Sequence, residues 1–179
     1  MNKKSKVVII SIIGIVVLGI LYFVFLPWAG VFAGMVSSPS PDKPQITYGE
    51  FPFKLVYEIN GERHTVEDSL ICEYAGIGMN EGIGKYREWK GHLASGNENI
   101  VLLEVNENME IVYDPGNANY YMGDMPDGEG FAHLFPDAAY NKKNSEGIIS
   151  KKKLLSKYGI KLISWDYTKP IANEFITSE

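Results

Sequence analysis

FKLVYEINGERHTVE, residues 53–67, decides the fold of most of this chain. From Phe53 to Ile59 apolar and polar side chains alternate, the period of a half-buried strand. Asn60-Gly61 follows, and Glu62 opens a second extended run. Asn-Gly between two such runs is the strongest short hairpin signal, because a type I′ turn needs positive φ at both central positions. Working outward, residues 70–74, 86–93, 100–105, 110–113 and 160–167 read as further strands. Turn chemistry separates several of them, as in Ser95-Gly96-Asn97 and Asp114-Pro115-Gly116-Asn117. Residues 119–122 are expected to pair briefly, and 123–147 to form a long surface loop. Residues 151–158 predict a short helix, with Ser150 as N-cap and Gly159 as the residue that ends it.

The N-terminal part has a different character. VVIISIIGIVVLGILYFVFL, residues 7–26, carries no charge and follows Lys3, Lys4 and Lys6. Twenty helical residues span ~30 Å, the thickness of a bilayer's hydrocarbon core. The positive-inside bias then predicts a cytoplasmic stub (1–6), a transmembrane helix (7–26), a linker (27–44) and an extracytoplasmic domain (45–179). Pro27 is expected to end or kink the helix, and Trp28 falls where interfacial aromatics sit. A cleaved signal peptide is the rival, with Val31-Phe32-Ala33 as a small-residue cleavage site and a secreted product. The apolar run is longer than a signal core, which favours the single-pass anchor. No cysteine lies just after it, which argues against lipid attachment of the lipoprotein type. Pro39, Pro41 and Pro44 favour an extended spacer. The fold class is therefore an N-terminal transmembrane helix plus an α+β domain, mainly antiparallel sheet with one short helix near the C-terminus.

The runs YGEFPFKLVYEINGE (48–62), LICEYAGIG (70–78), GKYREWKG (84–91) and KYGIKLISWDYTKPIANEF (157–175) resemble an uncharacterised family of small membrane-anchored proteins of Gram-positive bacteria. The resemblance covers most of residues 46–175. It implies an anchor and one outer domain at the cell envelope, and it carries over no functional residue.

Catalytic and cofactor motifs are sparse. The stretch from Gly76 to Gly84 holds four glycines but lacks the G-x-G-x-x-G spacing and the strand-to-helix setting of a dinucleotide site. Gly84-Lys85 is followed by Tyr86, so it is no phosphate loop. It reads as a glycine-rich loop in which Gly78 and Gly82 allow close approach of a partner. Ser150-Lys151-Lys152-Lys153 matches S-x-x-K formally, without the companion elements of serine enzymes that use it. His64, His92 and His133 lack metal-ligand spacing. Asp124, Asp127 and Glu129 are a weak calcium candidate, since their spacing is not that of an EF-hand. The single cysteine, Cys72, reads as a buried strand residue. No cofactor is expected.

Charge is the feature hardest to dismiss. Residues 142–161 hold seven lysines and one acid, whereas residues 37–141 hold 18 acids and 6 bases. Lys151, Lys152 and Lys153 also oppose the positive end of the helix dipole, with Lys157 one turn on. A solvated face is the plain reading. The functional one is an anionic envelope component or an acidic protein partner, since each lysine near an anionic surface contributes ~1 kcal/mol. Nucleic acid fits neither the compartment nor an acidic chain of net charge −5. The leading expectation is a non-enzymatic binding module at the envelope. The alternatives are an envelope hydrolase or transferase, or a structural subunit of a membrane complex.

Overall fold

The computed structural model describes residues 2–125, 138–142 and 145–176. The helices are α1 (Lys3–Ile20), a π-helical segment (Leu21–Phe25), α2 (Leu26–Ser37), α3 (Ala118–Tyr121) and α4 (Lys151–Tyr158). The first five strands are β1 (Lys43–Pro44), β2 (Tyr48–Ile59), β3 (Glu62–Asn80), β4 (Gly84–Leu93) and β5 (Ile100–Asn106). The rest are β6 (Met109–Tyr113), β7 (Ala138–Lys142), β8 (Ser145–Ile149), β9 (Ile160–Tyr167) and β10 (Phe175–Ile176). The chain divides into two compact units, Met1–Pro41 with Ile77–Arg87, and Asp42–Gly76 with Glu88–Glu179.

In the first unit, helix runs from Lys3 to Ser37 and exposes large apolar side chains from Val8 to Val36. Val8–Ser37 is long and apolar enough to cross a membrane. Of the two outcomes expected at Pro27, an end or a kink, the helix does not end there. A proline removes one N–H, and its ring collides with the carbonyl four residues back, which here belongs to Phe23. The helix accommodates this by widening into a π-turn over Leu21–Phe25. The linker expected from residue 27 is therefore shorter, and extended chain starts only at Ser38, whose ψ is 143°.

The rest of this unit is the far end of the β3–β4 hairpin. The expected glycine-rich loop is instead the end of β3, a three-residue turn and the start of β4. Asn80 Oδ1 closes the turn by accepting from the N–H groups of Gly82 (3.0 Å) and Ile83 (2.9 Å). A Cβ on Gly78 would lie 2.5 Å from the Tyr86 ring, so this glycine lets that ring lie flat across the ribbon. Ser38 Oγ accepts from the Lys85 N–H at 3.1 Å and donates to Met35 O at 2.6 Å, which ties the hairpin tip to the end of α2.

The second unit holds two four-stranded sheets, ordered β4-β3-β2-β9 and β5-β6-β7-β8. The β2–β3 turn is as expected: Asn60 and Gly61 have φ of 52° and 90°, and Ile59 pairs with Glu62. The strands expected at 62–67 and 70–74 are one, because Asp68 and Ser69 keep the ladder by pairing with Phe53 and Pro52. β5 to β8 form an antiparallel meander. β7 and the start of β8 fall inside the stretch expected to be loop. Residues 119–122 do not pair. They lie in a single helical turn, α3, capped by Asn117 Oδ1 accepting from the Asn119 N–H at 2.9 Å. β1 pairs with β10 and brings the C-terminal segment back beside the start of the domain. The sheets share one core, in which Phe53 and Trp165 of the first meet Tyr113 of the second; the Tyr113 and Trp165 ring centroids are 5.0 Å apart. The mainly antiparallel β domain with few helices, preceded by one apolar helix, is the expected fold class.

Candidate functional site

Helix α4 is held by apolar residues at its ends and centre: Ile149, Leu154 and Ile160 are all buried. Leu154 is the one buried residue of the helix itself, so every lysine is turned outward. Lys151, Lys152, Lys153 and Lys157 are exposed, as is Lys161 at the start of β9. Ser150 has the extended backbone of an N-cap, but its side chain makes no capping bond, and the first turn holds no acid. The last turn is better finished. Gly159 adopts φ 66° and its N–H reaches Leu154 O and Leu155 O, while its carbonyl accepts from the Asn60 N–H at 2.9 Å. Lys157 Nζ lies 5.0 Å from the centre of the Tyr158 ring.

The sequence reading missed the apolar part of this face. Leu155 is 54% exposed. Leu155 lies four residues after Lys151 and three after Lys152, so it shares their side of the helix. The signal was present in the pattern: Ile148-Ile149 and Leu154-Leu155 are apolar pairs of which the core takes only one member each.

The structure does not gather the other candidates around these lysines. Gly78 lies within β3 and Gly82 in the turn at the hairpin tip, in the first unit. Asp124 follows α3, and its Oδ2 accepts from the Trp89 indole N–H at 2.7 Å, so that oxygen is committed to a tryptophan. Asp127, Glu129, His133 and Lys143 lie outside the described residues. Among the described residues no three His, Cys, Asp or Glu side chains gather as a metal site. His64 stacks on Tyr57 with ring centroids 5.2 Å apart. Cys72 is fully buried, and burial pushes its thiol up to about 12, which makes it a poor nucleophile.

A cleft of about 350 Å³ opens between the end of β4 and the turn after β6, with Trp89, His92, Glu98, Tyr113 and Asp114 among its lining. The turn Asp114-Pro115-Gly116-Asn117 forms one wall. Asp114 Oδ1 accepts from the Gly116 N–H at 2.8 Å, and Tyr121 donates its hydroxyl to Pro115 O at 2.8 Å. His92, Glu98 and Asp114 are exposed. Tyr113 is 1% exposed, and its hydroxyl has no hydrogen-bond partner among the described residues. Burial raises the Tyr113 and Tyr121 phenols above their ordinary range. Sequence reading took this segment only as a turn, since nothing in four residues tells what packs behind them.

Comparison with protein-family models, curated proteins and solved structures found no match to this chain.

Proposed function

We propose that this protein is a single-pass, membrane-anchored module whose β domain binds an anionic component of the cell envelope without catalysing a reaction. The exposed basic face of α4 carries the reading. Its lysines sit at the positive end of the helix dipole, where the first turn holds no acid and Ser150 makes no side-chain capping bond, an arrangement that costs helix stability locally and suits a surface kept for a partner. Leu155 adds apolar contact beside the charges, the mixture used by surfaces that meet anionic headgroups or polymers.

The apolar helix supports the anchor. The candidate cleavage site, Val31-Phe32-Ala33, lies within α2, where helical backbone offers a protease no extended segment. With the N-terminus cytoplasmic, the β domain is extracytoplasmic. Only the five residues Ser38 to Asp42 separate α2 from β1.

The test is co-sedimentation of detergent-solubilised full-length protein with isolated envelopes. Lys151→Glu, Lys152→Glu and Lys153→Glu combined should weaken retention tenfold or more, about 1.4 kcal/mol or above, and rising salt should weaken the wild type in the same way. Unchanged retention sinks the lysine contact. Retention that depends on envelope protein rather than on wall or lipid redirects the reading to an acidic protein partner.

The cleft is what supports an envelope hydrolase or transferase, since Glu98 and Asp114 both line it. Turnover of envelope polymer that Glu98→Gln abolishes would favour that reading.

A further inference from the structure

The hairpin that projects from β3 into β4 has two unlike faces. Gly78 and Tyr86 lie against each other, the tyrosine ring covering the glycine. In a two-stranded ribbon opposed residues share a face, and the next residue on each strand takes the other. Ile77 and Met79 therefore share a face with Lys85 and Arg87. Ile77 is 43% exposed, Met79 41% and Ile83, in the turn, 68%. Exposed apolar side chains beside cations make a face suited to an anionic lipid interface.

Its position beside the helix says what covers it. The Lys85 N–H donates to Ser38 Oγ at 3.1 Å, and a Cβ on Gly84 would meet the same oxygen at 2.7 Å, so tip and helix end touch. Val8–Ser37 comprises 30 residues, ~45 Å of helix. That exceeds the ~30 Å hydrocarbon core and matches core plus headgroup layers. An apolar stretch of this excess tilts until it is covered, which sets Ser38, and the tip bound to it, at the outer headgroup level.

We propose that the β3–β4 hairpin tip is a second membrane contact. Ile77, Met79 and Ile83 seat in the outer lipid interface, and Lys85 and Arg87 face lipid phosphates. The contact rests on the anchor reading above and adds to it a fixed point that a flexible tether lacks.

Cys72 is buried, so an introduced cysteine can be labelled selectively with a polarity-sensitive fluorophore. Full-length Ile83→Cys and Val36→Cys are each placed in lipid nanodiscs with nitroxide-bearing headgroups; Val36 is exposed and lies two residues before Ser38. The Ile83 label should emit blue-shifted and lose most of its emission to the nitroxide, as the Val36 label does. Quenching at Val36 alone overturns the hairpin contact and leaves the anchor standing. Quenching at neither position overturns both. A blue-shifted but unquenched Ile83 label places the tip against a second copy of the chain and overturns the lipid contact. Met79→Asp is the second probe: it should make the Ile83 label less blue-shifted and less quenched, and no change would count against apolar seating.

Discussion

Tyr113 and Trp165 are neighbours in the core, and both hold a buried polar atom that no described residue satisfies. An unpaired buried hydroxyl costs ~1–3 kcal/mol. Replacing Tyr113 with Phe should therefore leave stability unchanged or raise it by up to ~1 kcal/mol, read as the midpoint of thermal or urea unfolding. A clear loss instead would show that the hydroxyl is engaged, and would make the cleft it borders a polar site. The buried acids act together at high pH. Burial holds the Cys72 thiol at about 12 against an ordinary value of 9.0, and it raises the Tyr113 and Tyr121 phenols above their ordinary 10.0. Below pH 9 the folded and unfolded chains both keep these protons, and stability is at its full value. Above it the unfolded chain ionises first, so stability falls as pH rises, by ~1.4 kcal/mol per pH unit for each group once past its unfolded value. Between pH 9 and 10 the thiol dominates this slope. Cys72→Ala, whatever its cost at pH 7, should flatten that part of the curve, and an unflattened curve would mean that other groups set the alkaline limit.

Helix α4 lets the binding and folding roles of one element be separated. Lysine at the start of a helix is unfavourable by ~0.3–1 kcal/mol, and an acid there is favourable by as much. Lys152→Glu with Lys153→Glu should thus raise the unfolding midpoint while weakening envelope retention; a fall in both would make the lysines structural. How far the sequence could be read also differs by element. The Asn60-Gly61 hairpin, α4 with Gly159, and β9 were legible because local chemistry and burial agree in them. β7 and β8 were not: Ala138-Ala139-Tyr140-Asn141-Lys142 pairs with β6 and β8 through backbone bonds, which need no alternation in the side chains. The helix through Pro27 escaped because the compensating π-turn lies upstream of the residue that demands it. α3 was hidden by length, since four residues cannot show a period. On the candidate face the charges were plain in the sequence, whereas the exposure of Leu155 depends on which leucine the core takes. The hairpin tip read as a loop because Gly78 serves a ring contact from the next strand, which glycine spacing alone does not reveal.

The buried core is drawn wholly from the second unit: none of its residues lies in the N-terminal helix or in Ile77–Arg87. The sheet ladders β2–β3, β2–β9 and β5–β6 likewise need nothing from the helix. A chain beginning at Asp42 should therefore fold, since the apolar surface that stabilises it is intact. What it loses is the bond between Ser38 and Lys85, and with it the support of the hairpin end. Amide exchange opens locally where buried apolar contact is scarce. In the shortened protein, residues 48–73, 100–113 and 160–167 should keep the protection of the full-length protein, while 77–87 should exchange markedly faster. Membrane should restore that protection in the full-length chain only, because the hairpin tip alone, with three apolar side chains and no anchor to hold it, is too weak to stay bound. Faster exchange across β2 and β9 would mean that the helix is part of the domain's fold rather than its attachment. Unchanged exchange at 77–87 would mean that the hairpin stands without the helix, and the case for its fixed position at the lipid surface would go with it.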